Sequence, residues 1–466
     1  MIILLFLSLY IYNPNHWLHL PATDEIISIT NSLSEVYLIF PEGILVFDRR
    51  ELKLKNTLTR VDGLPERIKI GAYDQFSGSL VIISEGLLTF FQPFVRIKTD
   101  YPLNIQPHSI GMGEKNLCLL TKNERYIWDR KKNKLKRVKA FPDTSIFWYG
   151  ENTSVKVRDY IFLTPYQVMD EDLNIYPMNL AFPEGKRLWV GVKNYGILVY
   201  DRNTGQKIKE FRLGLKAKEI REILKREDGL WLLGNDFFIR LEEDFEKWEY
   251  FTLRPGKIFL EKNPLFSNKL LDHLRKEGIT ALAGEKEIFF ATPDKFYIFE
   301  PKTEELKEIS LPGIQKIFPF HDTIFLLTAN GLFSYAKATD ELTEIVDPKG
   351  ELKFGVFGMA VNNFGKIFAV RGGFYKLDNS GNWEKFTIPG IDLSKPIRDL
   401  AAREDYLFLA TEEGLFALNQ KDNRYQIIKE KEGLFSSQIR SLYLDSDYLW
   451  IASDKGLSRL IYKKIF

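Results

Sequence analysis

One cysteine among 466 residues, Cys118, excludes an intrachain disulfide framework and any thiolate-rich metal centre. Histidine is almost as scarce: His16, His19, His108, His273 and His321 are scattered without the spacing of a metal-binding helix or finger. Charge of one sign is not in excess, since 65 basic and 63 acidic residues leave a formal charge of +2 and no global field to draw in nucleic acid. No run of 18 or more apolar residues is present, which removes a membrane-spanning helix. The chain also lacks a Gly-x-Ser-x-Gly elbow, a phosphate-binding loop, a His-Glu-x-x-His pair and an EF-hand loop. No catalytic residue, metal ligand or cofactor is therefore expected from local motifs. Cys118 lies in Leu117-Cys118-Leu119-Leu120, where it serves as a small buried hydrophobe.

What the chain has instead is repetition. Aromatic and aliphatic runs of four to six residues alternate with turns of Asp, Asn, Gly and Lys, the pattern of strands in antiparallel sheets. The turn glycines Gly331, Gly373, Gly414 and Gly456 follow one another at intervals of 42, 41 and 42 residues. An aromatic in the preceding strand keeps the same beat at Trp189, Trp231, Phe325, Phe368, Phe408 and Trp450, with Phe289 displaced by an insertion. Val36-Tyr37-Leu38-Ile39 with Gly43 and Leu80-Val81-Ile82-Ile83 with Gly86 carry the pattern to the N-terminus. A repeat of about 40 to 45 residues holding four strands is the blade of a β-propeller. The beat aromatics are then blade-to-blade core rather than a ligand platform.

The expected fold class is thus all-β, a β-propeller of about eleven four-stranded blade-like repeats. The units start near Glu25, Ile68, Ile105, Ser145, Met178, Glu219, Gly278, Ile314, Leu352, Ile397 and Gln438. Eleven exceeds the four to eight blades of one ring, so two propellers in tandem are expected. Residues 16–215 would form the first and 216–466 the second. The last unit shows only three strands before Phe466, while His16-Trp17-Leu18-His19-Leu20 stands ahead of the first unit as an orphan fourth strand. The Trp17 strand is expected to close the last blade. Met1 to Ile11 is apolar, ends at Asn13-Pro14-Asn15, and has the length of a signal-peptide core, although no Lys or Arg precedes Arg49. Residues 1–15 are accordingly expected to be an export signal, with a mis-set start or a simple leading strand as the alternatives.

Two interruptions of the repeat are the candidate binding surfaces, because loops on a rigid scaffold carry function. Ser145 to Met178 is dense in aromatics, with Phe147-Trp148-Tyr149-Gly150-Glu151 and Phe162-Leu163-Thr164-Pro165-Tyr166. It reads either as a sugar- or peptide-contacting surface or as a distorted blade with extra core aromatics. Pro255 to Glu277 holds Asn268-Lys269-Leu270-Leu271-Asp272-His273-Leu274-Arg275-Lys276, whose apolar spacing is that of one short helical insertion. The basic run Arg130 to Arg137 falls in a third-to-fourth-strand hairpin and reads as a solvated outer turn.

Gly433-Leu434-x4-Ile439-x2-Leu442, then Leu449-Trp450-Ile451-Ala452-Ser453 and Gly456-Leu457-Ser458-Arg459-Leu460, resembles the two-component regulator propeller repeat. Leu188-Trp189-Val190-Gly191-Val192 with Tyr195-Gly196-Ile197-Leu198-Val199-Tyr200-Asp201 does so too. The resemblance implies paired propellers, the extracytoplasmic sensor part of bacterial hybrid kinases that recognise carbohydrate-derived ligands. Similar double propellers occur in surface components of a secretion system. The expected function is a non-enzymatic exported propeller, periplasmic or extracellular, that binds a carbohydrate-like ligand or a protein partner and no nucleic acid. A cytoplasmic location is the alternative expectation. The alternative functions are a propeller lyase or hydrolase with a central-channel site, or a structural component of a surface or secretion assembly.

Overall fold

Short apolar runs closed by Gly, Asn and Asp cannot extend into helices, and the computed structural model accordingly consists of strands joined by tight turns. It describes residues 6–7 and most of 13–466, leaving out 253–278 and shorter stretches such as 171–172, 216–218, 227–228, 243–247 and 392–396. The short helix expected in Pro255 to Glu277 lies outside the described residues. Among those described there are ten sheets, each built on a meander of neighbouring antiparallel strands, with strands from elsewhere in the chain added to some. The chain divides into two compact units, His19–Lys216 and Ala217–Phe466 together with Met1–Leu18.

The C-terminal unit holds six sheets. Their innermost strands are Glu222–Arg226, Ala281–Ala283, Ile314–Phe320, Val356–Asn362, Asp399–Arg403 and Ile439–Leu444. Each of these neighbours the next, and Ile439–Leu444 neighbours Glu222–Arg226, so the circuit closes as in a propeller. Radial closure leaves no long exposed inner edge. The second strand of each sheet is covered on both sides, which is why the beat aromatics Trp231, Phe289, Phe325, Phe368, Phe408 and Trp450 are all buried. The sixth sheet takes its outer strand from the start of the chain: Trp17–Pro21 lies beside Gly456–Leu460. Trp17 is buried in the same core as Leu449, Ile451, Leu460 and Tyr462, and the Ile461 amide donates to the His16 carbonyl at 2.9 Å. Upstream of it, Phe6–Leu7 runs parallel to the outer strand Arg424–Ile428 of the fifth sheet. The rest of the apolar stretch Met1 to Ile11 is outside the described residues.

The N-terminal unit holds four sheets, with inner strands Ser28–Asn31, Ile70–Asp74, Ser109–Met112 and Ile175–Glu184. The unit expected to start near Ser145 makes no sheet of its own among the described residues, where ten sheets are found. Phe147–Gly150 pairs antiparallel with Ser109–Met112 as a fifth strand on the inner side of the third sheet. Gln167–Met169 pairs with the long strand Ile175–Glu184 of the fourth. The chain between them folds into two 3-10 turns, Val157–Asp159 and Ile161–Leu163.

Turn chemistry repeats with the blades. Asp48, Asp129 and Asp201 each end a third strand, and each carboxylate accepts two backbone amides of the following turn, as in Asp201 to Asn203 and Thr204 at 2.9 and 2.8 Å. Those bonds hold the Asp48 and Asp201 carboxyls below the usual carboxylate range. Gly196 and Gly414 start third strands with φ of +140° and +130°, and a Cβ on Gly196 would meet the Phe211 carbonyl oxygen at 2.0 Å.

Candidate functional site

The inner strands of the C-terminal unit enclose a central channel with a cavity of about 830 Å³. That lies within the size range of small-molecule sites. Its wall mixes apolar side chains, Leu224, Leu282, Ile317, Met359 and Leu442 among them, with polar and charged ones. The polar groups fall into two sets.

The inner set occupies one rung of the six-strand circuit. Glu222 pairs with Leu233, Lys316 with Leu327, Asp399 with Ala410 and Ser441 with Ala452. In each case the partner stands two residues after the beat aromatic of the second strand, so the four residues share one phase of the repeat. Ala281, opposite Ala291, and Val356, opposite Val370, complete the rung. Register irregularities lie between Ile314 and Lys316, Val356 and Gly358, and Ile439 and Ser441. Such bulges re-aim side chains and free backbone amides.

Asp399 is fully engaged. Its Oδ1 accepts from the Lys316 ammonium and from the Leu400 amide at 2.9 Å, and its Oδ2 accepts from the Leu442 amide at 2.8 Å on the next inner strand. Lys316 reaches it past the intervening fourth sheet, and the two side chains are 20% and 7% exposed. A pair this enclosed is held by its hydrogen bonds as much as by its charges.

Glu222 differs. Its Oε2 accepts one long bond, from the Leu282 amide at 3.3 Å, while the side chain keeps part of its surface in the lumen. Desolvation pushes its pKa up to about 8, with Lys316 pulling down and Asp399 pushing up. Glu222 therefore holds its proton at neutral pH. The rung contains two acids and one base, and the protein balances it by keeping one acid neutral.

The outer set lies toward the other end of the strands. Arg403 follows Asp399 by four residues, roughly 13 Å of strand rise. His321, beyond the end of Ile314–Phe320, also lines the wall, and both are exposed. Lys337 there donates to Glu287. Among the described residues no hydrogen bond joins His321 or Arg403 to a carboxylate. No group of three or more His, Cys, Asp or Glu side chains able to hold a metal is found among them either.

In the aromatic interruption of the N-terminal unit Phe147, Trp148 and Tyr149 are half-buried against neighbouring rings, while Ile161, Phe162 and Met169 are exposed. Tyr149 accepts a hydrogen bond from Thr30 Oγ1 at 3.1 Å, and Phe147 and Tyr149 lie 5.8 and 6.3 Å from Phe182, ring centroid to ring centroid. Trp148 rests on Phe141. Phe162 packs on Tyr200. Of the basic run, Arg130 is tied to Asp74 by two bonds, at 2.7 and 3.0 Å, and the remainder stays on an exposed hairpin. Cys118 is buried, and its thiol is pushed up to about 12, chiefly by burial. Glu222, Lys316 and Asp399 were not singled out by motif; their shared phase relative to the beat aromatics is the signal that collects them.

No protein-family profile matches the chain, nor does any curated protein sequence at a significant level. Among solved structures it is similar to PorZ, a surface component of the type-IX secretion system of Porphyromonas gingivalis. The identity is 12% over 94% of this chain and 73% of that one, with a TM-score of 0.42. It is similar to the extracellular domain of a hybrid two-component system from B. thetaiotaomicron, at 14% identity over 97% and 70% of the two chains and a TM-score of 0.37. It is also similar to virginiamycin B lyase from Staphylococcus aureus, at 16% identity over 60% and 93% and a TM-score of 0.37. Identities of this size speak to fold alone, and the reading of the channel rests on this chain's own residues.

Proposed function

We propose that the chain is a non-enzymatic, exported propeller protein that binds a small molecule in the channel of its C-terminal unit. The single observation that carries the reading is the channel itself: a cavity of about 830 Å³ lined by apolar side chains and by one rung of convergent polar groups. Such a combination is the usual form of a ligand site. The binding role agrees with the two-component regulator propeller resemblance of the Trp189 and Trp450 repeats. Two propeller rings in tandem are part of the same proposal, one for each compact unit. Export rests on the apolar stretch Met1 to Ile11. Recovery of the tagged protein in the cytosolic fraction, with its leader intact, would remove that part.

The non-enzymatic reading is supported by the state of the rung. Both oxygens of Asp399 accept hydrogen bonds, burial raises the Glu222 pKa, and the exposed His321 and Arg403 lie at the far end. A general base poised beside a nucleophile is not assembled. The lyase or hydrolase alternative would use Glu222 as a general acid, and a turnover lost in Glu222→Gln would install it in place of binding.

The experiment is a thermal-shift screen of neutral sugars, carboxylates and amines against the wild type and against Val361→Trp, which fills the lumen from a partly exposed wall position. A ligand specific to the native state raises its melting temperature by mass action. A saturable shift in the wild type that is absent in the filled variant is expected. Equal shifts in both would move the site off the channel. Ala402→Phe, another lumen-lining position, serves if Val361→Trp does not fold.

A further inference from the structure

Charge bookkeeping in the rung narrows the ligand. Glu222 and Asp399 are two acids, Lys316 is one base, and Lys316 already neutralises Asp399. Only on ionising would Glu222 call for a positive charge opposite it, and no side chain of the rung is left to supply one. We propose that the channel ligand is an organic cation, a primary amine on an apolar frame, with the Glu222 carboxylate as its counter-ion. This rests on the channel being the binding site.

The surroundings of Glu222 fit that occupant. The neighbouring inner strand offers only Ala281, Leu282 and Ala283, and the second strand of its own sheet, Gly229–Leu233, is apolar. The other flanking strand, Ile439–Leu444, carries Ser441 and Tyr443 on the channel wall and an exposed Arg440. Arg221, next to Glu222 in the chain, is exposed to solvent. The charged groups that face Glu222 within the lumen are thus Lys316 and Asp399, which are bonded to each other and sum to zero. Apolar surface from Leu224, Ile317, Met359 and Leu442 would cover the hydrocarbon of the ligand. The cations Arg403 and Lys337 lie toward the opposite end of the strands, and Lys337 is compensated by Glu287.

Binding exchanges one proton for one ammonium. The incoming R–NH3⁺ replaces the proton of the Glu222 carboxyl, which leaves to buffer, and an ammonium–carboxylate pair remains. Desolvation, the cause of the raised Glu222 pKa, then works for the complex, because an enclosed charge pair interacts strongly in a low dielectric.

The test uses hexylamine, hexan-1-ol, hexanoate, KCl and CaCl2 as probes of the full chain, by calorimetric titration in two buffers of different ionisation enthalpy. Hexylamine is expected to bind with release of about one proton at pH 7, and to tighten about tenfold per pH unit from 6 toward 8. In Glu222→Gln the amine affinity is expected to fall at least tenfold and lose its pH dependence. Amine binding without proton release, or undiminished in Glu222→Gln, overturns the proposal. Binding of hexanoate or a neutral sugar that Val361→Trp abolishes, with no amine binding, overturns it while leaving the channel reading intact. Preference for K⁺ or Ca²⁺ over hexylamine overturns it in favour of an inorganic cation. If nothing that binds is sensitive to Val361→Trp, the channel reading fails as well.

Discussion

At the scale of the residue, buried titratable groups set how stability responds to pH. The Glu222 pKa is raised from 4.5 to about 8, so between those values the folded chain holds a proton that the unfolded chain has lost. Stability from this group is full below about pH 4.5 and falls as pH rises toward 8. Glu222→Gln is expected to remove that decline, leaving the variant with the higher melting temperature at pH 8 and little difference at pH 4.5. His19 has the opposite sign. Burial lowers its pKa from 6.5 to about 3, so its neutral form contributes stability above pH 6.5 that is lost as pH falls toward 3. His19→Asn is expected to flatten the loss of melting temperature between pH 6 and 4. An unchanged acid limb would show that His19 does not govern it. Lys316 is the third such residue. Replacing it with Met leaves Asp399, 7% exposed, without its counter-charge. A cost of about 3–5 kcal/mol in denaturant unfolding is expected.

The element scale shows what sequence patterning reads well and what it reads poorly. Period and phase were legible: the beat aromatics Trp189, Trp231, Phe408 and Trp450 are second-strand core, and the turn glycines Gly331 and Gly414 have positive φ. Such features repeat because every blade solves the same packing problem. The segment after Ser145 resisted reading because aromatic density is the same for a strand that joins an existing sheet and for one that starts a new sheet. Only pairing to Ser109–Met112, a long-range fact, separates them. The channel rung was hidden for a related reason. Glu222, Lys316 and Asp399 are 94 and 83 residues apart along the chain, and no local motif spans such distances. Their common phase could be recovered only by stacking the repeats. The Trp17 strand carries a prediction at this scale. Trp17 is 8% exposed within the sixth-sheet core, so Trp17→Ala is expected to destabilise the C-terminal unit by about 3–5 kcal/mol. Chemical denaturation followed by tryptophan fluorescence measures it. A cost under about 1 kcal/mol would mean that the strand contributes little to the closure of the sixth sheet.

At the scale of the whole molecule, the six-sheet circuit turns weak individual signals into a site. Each inner strand supplies one side chain to a rung, and the covalent chain need not bring those residues near one another, because ring closure does so. The protein thereby places an acid with a raised pKa in the same rung as a neutralised ion pair, with apolar side chains around them. The measurement that bears most directly on this arrangement is a carbon-13 NMR titration of the side-chain carboxyls in glutamate-labelled wild type and Glu222→Gln, with and without hexylamine. One glutamate signal should titrate near pH 8, vanish in the variant, and move to the ionised position at pH 7 when the amine is added. A wild-type spectrum in which every glutamate titrates near the ordinary 4.5 would contradict the arrangement at its centre.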